Sequence, residues 1–268
     1  MHDDLAMKIA VAQLNSQEDW RKNLLSVATA VERAVRFNAQ AIVFPENALY
    51  MGNPEHLSRI ARELWKDKAM PTIQSMARKH RIAILLGSYP EYRRDSTRVF
   101  NTSLFIDERG RILGRYRKIH LFDVTTPGRR AYRESKNVCA GDKLVTFKWR
   151  GIILGMSICY DVRFPEMYRD LARRGADCLI VPSAFTHETG KEHWHTLLRA
   201  RAIENLATVI APAQTGRHPL GRRTFGHSLV VSPWGKVLLD AGTRPGIQFA
   251  RLSPGESNRL RRQFPVAG

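Results

Sequence analysis

Residues 155–166 read GMSICYDVRFPE, in which an apolar segment leads through a cysteine into the start of a helix. The apolar run 151–159 predicts a buried strand, and residues 165–174 predict a helix that Gly175 ends. A cysteine between a strand and a helix lies in the context of a nucleophile elbow, although the Gly-x-Ser-x-Gly spacing is absent. Such a turn exposes the side chain, and the nearby helix N-terminus would lower the pKa of a thiol below its usual value. The stretch therefore predicts a reactive thiol at Cys159.

Helices alternate with short apolar strands on both sides of this stretch. Periodic apolar residues predict helices over residues 19–38, 71–80 and 192–205. Apolar runs predict strands over residues 7–14, 41–44, 82–89, 178–181, 208–213, 228–232 and 237–241, and hairpins that pair 100–107 with 112–116 and 144–149 with 151–159. The mixture predicts an α/β fold with helices packed on mixed sheets. Because the breaks between elements are short, a single domain over residues 1–268 is expected.

The composition is that of a globular protein without a membrane span. The chain has 268 residues, of which 43% are hydrophobic, and this is enough for a sizeable core. It has no run of about 18 apolar residues, and its first residues, MHDD, carry acids where a signal peptide would carry bases, so a cytoplasmic location is expected. The three cysteines fit no zinc pattern, and no metal site is predicted. Cys139 and Cys178 are interpreted as small buried apolar residues.

The formal net charge is +18, which nucleic-acid binding and anionic substrates would both explain. The basic residues are spread along the chain, with denser groups at 109–118, 129–136 and 259–262. No zinc finger, Walker loop or RNP-type motif accompanies them. Nucleic-acid binding is therefore kept only as the alternative to an enzyme.

A thiol nucleophile needs a base. None of the nine histidines lies in a diagnostic local motif. Glu46 follows the apolar strand 41–44, so its carboxylate is expected at the rim where Cys159 would lie; a capping carboxylate is the structural alternative. Taken alone, Lys118 is typical of a solvated lysine and Glu134 of an acid in a surface loop.

Three segments together resemble the nitrilase superfamily of carbon–nitrogen hydrolases. They are FPE at 44–46, YRKIHLFD at 116–123 and CYDVRFPE at 159–166, in the order and at the separations of that family. The resemblance runs over about residues 8–252. It implies a four-layer α-β-β-α sandwich, which is often paired into homodimers through helical faces, and it implies no metal or organic cofactor.

The resemblance also implies roles for individual residues. Cys159 would attack an amide carbonyl, Glu46 would serve as the base, and Lys118 with a backbone N–H, such as that of Tyr160, would stabilise the oxyanion. Glu134 would be the family's second glutamate, which hydrogen-bonds the lysine and helps to position the substrate. The expected reaction is hydrolysis of a small amide to an acid and ammonia through a thioester.

Within the superfamily, the chain resembles the Nit branch, which includes omega-amidases and deaminated glutathione amidases. Segments 182–186, 199–205, 216–218 and 225–228 are more similar to the second group. A deaminated-glutathione-type amidase is therefore expected. The alternatives are an omega-amidase on 2-oxo-acid amides, an N-carbamoyl amino acid amidohydrolase, an acyltransferase and a catalytically inactive scaffold.

Substrates that carry carboxylates call for a basic side chain in the pocket. Arg163 is the candidate, because a guanidinium can pair with a carboxylate through two hydrogen bonds; a salt bridge at the helix entry is its alternative role. Arg217 and Thr186 are further candidates, and Tyr160 and Phe185 are expected beside them. The arginines within residues 125–133 and the basic net charge depart from the branch and leave the substrate identity open.

Overall fold

A computed structural model describes residues 6–126 and 131–265. The helices are α1 (Trp20–Arg36), α2 (Leu57–Lys66), α3 (Ala69–His80), α4 (Pro165–Arg173), α5 (His187–Asn205) and α6 (Glu256–Gln263). Short 3-10 turns cover Pro54–His56, Glu134–Lys136, Cys159–Arg163 and Pro219–Gly221. Residues 127–130, which include two arginines of the segment 125–133, lie outside the described residues.

The described strands form two large sheets and two small ones. In chain order they are β1 (Met7–Gln13), β2 (Ala41–Val43), β3 (Ala83–Glu91), β4 (Val99–Ile106), β5 (Ile112–Arg117), β6 (Asp123–Thr125), β7 (Ala131–Arg133), β8 (Val138–Cys139), β9 (Thr146–Trp149), β10 (Ile152–Met156), β11 (Cys178–Ile180), β12 (Thr208–Ala211), β13 (Thr215–Arg217), β14 (Arg223–Phe225), β15 (Leu229–Val231), β16 (Val237–Asp240) and β17 (Gly246–Leu252).

The two large sheets have similar topologies. The first has the order β17-β1-β2-β3-β4-β5, with β8 beside β4, and its central strands β1, β2 and β3 are parallel. The second has the order β16-β15-β12-β11-β10-β9, and its central strands β10, β11 and β12 are parallel. Antiparallel strands flank the parallel ones in both sheets.

Alternate residues of the first sheet face different layers. Ile42 and Ile84 pack with α1, α2 and α3 on the outer side. Their neighbours Val43 and Leu85 pack against the second sheet, as the two-residue period of a strand requires. The second sheet in turn packs against α4 and α5, through residues such as Trp194. The predicted α-β-β-α sandwich is confirmed, and its two sheets share a continuous apolar core.

Most of the predicted elements are confirmed, with shifted ends. The helix expected from residue 192 begins at His187, because the Thr186 hydroxyl accepts from the Thr189 N–H and caps the preceding turn. The helix expected from residue 71 begins at Ala69. Sequence patterns did not predict α2, α6 or β17. The single-domain prediction over residues 1–268 stays a prediction, and none of the described helices has the length and hydrophobicity needed to cross a bilayer.

A close backbone contact fixes the end of β2. A Cβ atom at Gly87, in β3, would lie 2.0 Å from the Phe44 carbonyl oxygen and 2.4 Å from the Pro45 carbonyl carbon. Real Cβ atoms do not approach backbone atoms this closely. Only glycine therefore lets β3 pass the segment that leads directly into Glu46.

We expect Gly87→Ala to destabilise the fold by about 1–3 kcal/mol, the usual cost of forcing extra atoms into a packed core. Gly246→Ala is the matched control, because a Cβ there meets no atom within 4 Å. Chemical denaturation of both variants measures the difference. Equal stability of the two variants would contradict the role given to Gly87.

Candidate active site

Cys159 lies at the junction where β10 gives way to a single 3-10 turn. Its φ is +48°, a left-handed conformation that costs free energy in a residue other than glycine. Its N–H donates to the Pro182 carbonyl over 2.9 Å, which ties this turn to the end of β11. The strand–turn–helix prediction is confirmed, but the cysteine is buried, with 7% of its surface exposed, whereas an exposed side chain was expected.

The turn is held by Asp161, whose carboxylate is completely buried. Its Oδ2 atom accepts from the Ile158 N–H over 2.8 Å and from the Tyr116 hydroxyl over 2.7 Å. Its Oδ1 atom accepts from the His120 N–H over 3.0 Å and lies 2.7 Å from His120 Nδ1. These contacts fix the backbone immediately before and after Cys159. Asp161 is thus a positioning residue, and its role was missed in the sequence.

Glu46 follows β2, as predicted, and only 2% of it is exposed. Its Oε1 atom accepts from Lys118 Nζ over 2.9 Å and from Asn101 Nδ2 over 3.0 Å. Its Oε2 atom accepts from the Ala184 N–H over 2.9 Å. The Ala184 backbone, the Glu46 carboxylate and the Cys159 thiol line the same pocket, and both Glu46 and Ala184 influence the pKa of that thiol. A capping role for Glu46 is therefore wrong, because this carboxylate faces other buried polar groups.

Lys118 follows β5 and is 2% exposed, so it is not the solvated lysine that its local sequence suggests. Its Nζ atom donates to Glu134 Oε2 over 2.9 Å, besides its bond to Glu46. Glu134 is held in turn by the Phe122 N–H over 2.7 Å and by Asn101 Nδ2 over 3.2 Å. Lys118 and Asn101 therefore both bridge the two glutamates.

These contacts set the protonation states of the group. Burial acts to lower the pKa of Lys118, but the charges of Glu134 and Glu46 outweigh it and raise that pKa well above its usual value. Burial acts to raise the pKa of Glu46, but Lys118 outweighs it and the net shift is downward. Lys118 is therefore a cation and Glu46 a carboxylate at neutral pH.

The Cys159 thiol behaves differently from the expectation of a lowered pKa. Burial and the charge of Glu46 raise the pKa of this thiol well above its usual value, although Lys118 and the Ala184 N–H act in the opposite direction. Only one short 3-10 turn begins at Cys159, and α4 starts six residues later, at Pro165. The free thiol is therefore protonated and needs a base before it can attack.

One pocket is lined by the four predicted catalytic residues, Glu46, Lys118, Glu134 and Cys159. Most of the predicted substrate-binding residues line it too. Tyr160, Arg163, Phe185 and Thr186 all line it. The Arg163 guanidinium lies 5.1 Å from the centre of the Phe185 ring, and its Nη1 atom lies 3.2 Å from His193 Nδ1. The helix-entry salt bridge that was the alternative for Arg163 is not among its contacts in the described part of the chain.

Arg217 is not brought into this pocket. It lies in β13, and its side chain is exposed. Arg222, which immediately precedes β14, lines the pocket instead and donates to the Ala184 carbonyl over 3.0 Å. The sequence could not distinguish the two arginines, because they are five residues apart in one hairpin.

Comparisons with known proteins show the family to which the chain belongs. Residues 8–262 match the family model described as carbon-nitrogen hydrolase. The chain belongs to the carbon–nitrogen hydrolase family. A Synechocystis protein named deaminated glutathione amidase is 42% identical to it over 263 residues, which are 96% of this chain and 95% of the relative.

Solved structures of other family members have the same fold as this hydrolase. The crystal structure of the Caenorhabditis elegans NitFhit protein matches with a TM-score of 0.91 and 39% identity, over 97% of this chain and 64% of that one. An amidase from Nesterenkonia sp. AN1 matches with a TM-score of 0.80 and 30% identity, over 96% of this chain and 97% of that one. That structure is of a glutamate-to-glutamine mutant of the amidase, in which acrylamide has been added to the active-site cysteine.

Removing the Lys118 ammonium group, which binds both Glu46 and Glu134, should change how the stability of the fold depends on pH. In the hydrolase, the lowered pKa of Glu46 contributes stability that is present above pH 4.5 and is lost as the pH falls through the folded-state pKa. In Lys118→Met, burial without a cation would instead raise that pKa. The free energy of unfolding at pH 7 should then fall by about 3–5 kcal/mol, as when a buried ion pair loses one partner.

Part of this loss should be regained as the pH is lowered and the buried Glu46 carboxylate takes up a proton. Urea unfolding of wild type and Lys118→Met at neutral and at mildly acidic pH measures it. A loss that is the same at both pH values would show that the cation is not what stabilises the two glutamates.

Proposed function

We propose that this chain is an amidase that hydrolyses deaminated glutathione through a thioester on Cys159. The observation that carries the proposal is the buried contact of Glu46 with both Lys118 Nζ and the Ala184 N–H, beside the Cys159 thiol. This arrangement supplies a base, a cation and a nucleophile in one pocket. The name of the Synechocystis relative supports the choice of substrate.

The first half of the reaction forms the thioester. Glu46 takes the proton from Cys159 Sγ as the sulfur attacks the amide carbonyl carbon. The N–H of Cys159 is engaged by Pro182, so the N–H of Tyr160 is the expected backbone donor to the oxyanion, beside Lys118 Nζ. Glu46 then gives its proton to the leaving nitrogen as the carbon–nitrogen bond breaks.

The second half restores the enzyme. Glu46 takes a proton from water, whose oxygen attacks the thioester carbonyl. The carbon–sulfur bond breaks, the sulfur recovers the proton from Glu46, and the carboxylic acid leaves. Glu134 acts as a positioning residue for Lys118 in both halves, because its carboxylate binds the ammonium over 2.9 Å.

The leaving group depends on the substrate. Deaminated glutathione is a 2-oxoglutaryl group joined through an amide to cysteinylglycine, so its hydrolysis gives 2-oxoglutarate and this dipeptide. Ammonia leaves only when the substrate is a primary amide such as 2-oxoglutaramate, the substrate of the omega-amidase alternative. Both substrates form the same 2-oxoglutaryl thioester, and they differ only in the leaving group.

The pocket suits a long substrate with a carboxylate at each end. Three arginines line it, Arg133, Arg163 and Arg222, among aromatic side chains that include Phe122, Tyr160 and Phe185. Nη1 of Arg133 already donates to the Val124 and Tyr132 carbonyls, so Arg163 and Arg222 are the candidates for binding a carboxylate. Deaminated glutathione carries one carboxylate on its 2-oxo acid and one on its glycine. Each guanidinium can pair with a carboxylate through two hydrogen bonds.

We also propose a homodimer in the cytoplasm. Exposed apolar side chains, Ile203, Trp234 and Phe264, offer a surface that a second copy would cover. Trp234 and Phe264 pack edge to face, 5.6 Å apart. Light scattering of the purified chain distinguishes a dimer from a monomer.

Cys159→Ala should abolish the release of 2-oxoglutarate from deaminated glutathione, because no other thiol in the described chain neighbours Glu46. Cys139→Ala is the matched control and should retain activity. Ammonia release from 2-oxoglutaramate, an N-carbamoyl amino acid and a nitrile ranks the alternative substrates. Activity that survives Cys159→Ala would refute the thioester mechanism, and preference for 2-oxoglutaramate would favour an omega-amidase.

Arg163→Met and Arg222→Met should each raise the KM for deaminated glutathione by about 10- to 100-fold, the usual loss of a hydrogen bond to a charged group. Arg217→Met should leave the KM unchanged, because that side chain lies outside the pocket. The variant that also raises the KM for 2-oxoglutaramate identifies the arginine that binds the 2-oxo acid. If Arg217→Met had the largest effect in steady-state kinetics, the assignment of these arginines would be wrong.

A further inference from the structure

A second group of side chains with chemical potential lies outside the pocket. It consists of His195 in α5, His227 in the segment between β14 and β15, and Asp240 at the end of β16. One ligand atom from each lies within 4.8 Å of the other two. None of the three lines the pocket.

The ligand atoms already converge on the carboxylate. Nε2 of His195 lies 2.9 Å from Asp240 Oδ2, and Nδ1 of His227 lies 2.9 Å from Asp240 Oδ1. Zinc binds imidazole nitrogen and carboxylate oxygen at about 2.0–2.2 Å, so the ligand atoms of a tetrahedral site are about 3.3 Å apart. Small side-chain rotations would therefore place all three atoms around one ion.

Hydrogen bonds from the surrounding structure hold two of the proposed ligands, His227 and Asp240, in place. His227 has a left-handed φ of +54°, its N–H donates to the Gly242 carbonyl over 2.7 Å, and its carbonyl accepts from Trp194 Nε1 over 2.7 Å. The Gly242 N–H also donates to Asp240 Oδ1 over 2.9 Å. The ring of Phe225 stacks on the ring of His227, 4.4 Å apart. Fixed ligands of this kind lose less conformational entropy on binding an ion.

We propose that His195, His227 and Asp240 form a binding site for a divalent transition-metal cation, with zinc as the expected occupant. Two imidazoles and one carboxylate are a ligand set that zinc and its neighbours prefer. The side chains are 37%, 23% and 35% exposed, so water can reach a fourth position on the ion.

Binding needs no net loss of a proton when the imidazoles are neutral. In each imidazole, the proton on the nitrogen that faces Asp240 moves to the other ring nitrogen. The nitrogen that lost its proton then binds the ion through its lone pair. The positive net charge of the chain opposes the approach of a cation, but salt screens that repulsion at long range. The affinity therefore comes from the three ligands, and the bound ion clamps α5 to the ends of β14 and β16.

The test uses the full chain without a purification tag, after treatment with EDTA and dialysis. Cys159→Ala serves as the background, because it removes the pocket thiol as another soft ligand. Co²⁺ is the spectroscopic probe, since a site with nitrogen and oxygen ligands gives visible d–d absorption, and Zn²⁺ is titrated calorimetrically. We expect one ion per chain and a higher Tm with metal, because the ion binds only the folded state.

In that background, His195→Ala and Asp240→Ala should each weaken Co²⁺ binding by roughly tenfold or more and remove the metal-dependent rise in Tm. His227→Asn should do the same, since asparagine tolerates the left-handed conformation. His56→Ala, at an exposed histidine on another element, is the control and should bind as the parent does. Absence of saturable binding, or binding that survives both alanine substitutions, would overturn the site and leave only a hydrogen-bonded cluster. Neither readout depends on amide hydrolysis.

Discussion

The ammonium group of Lys118, buried between two carboxylates, is the interaction on which the pocket depends. Glu46 is buried and Glu134 is partly buried, and two carboxylates this close repel each other when no cation lies between them. The ammonium group, with the amide of Asn101, bridges the two side chains and lowers the pKa of Glu46, so this carboxylate stays ionised despite its burial. Because a buried charge left without its partner is costly, this group tolerates little displacement of any member.

The fold meets this requirement by joining two sheets. Glu46 and Lys118 follow strands of the first sheet, whereas Cys159 and Ala184 follow strands of the second. The bond from the Ala184 N–H to Glu46 crosses the seam between the sheets. The distance between base and nucleophile is therefore set by how the sheets pack, and the apolar core that the two sheets share also maintains the geometry of the pocket.

Local patterns predicted many of the helices and strands, and the family resemblance supplied their layered arrangement. Periodic apolar residues located α1, α5 and most central strands. The face-to-face packing of the sheets has no local signature, because strands of three or four buried residues look alike in any layered protein. Helix α6 was missed because it has no apolar stripe; Ser257 is its buried residue.

The residues of the site could also be predicted only in part from the sequence. The motifs located Glu46, Lys118, Cys159 and Glu134, which the structure brings together. They gave no indication of Asn101 or Ala184, because an amide within a strand and a backbone N–H become informative only once the carboxylates beside them are known. The polar run Asn101-Thr102-Ser103 inside the buried strand β4 was the one local signal available for Asn101.

The protonated state of the Cys159 thiol has a consequence for the life of the protein in the cell. Oxidants react with thiolates, and a buried thiol with a raised pKa presents few of them. In the proposed reaction, Glu46 removes the proton once a carbonyl group is placed beside the sulfur. The same burial that makes the proposed nucleophile depend on a base would therefore slow its oxidation between turnovers.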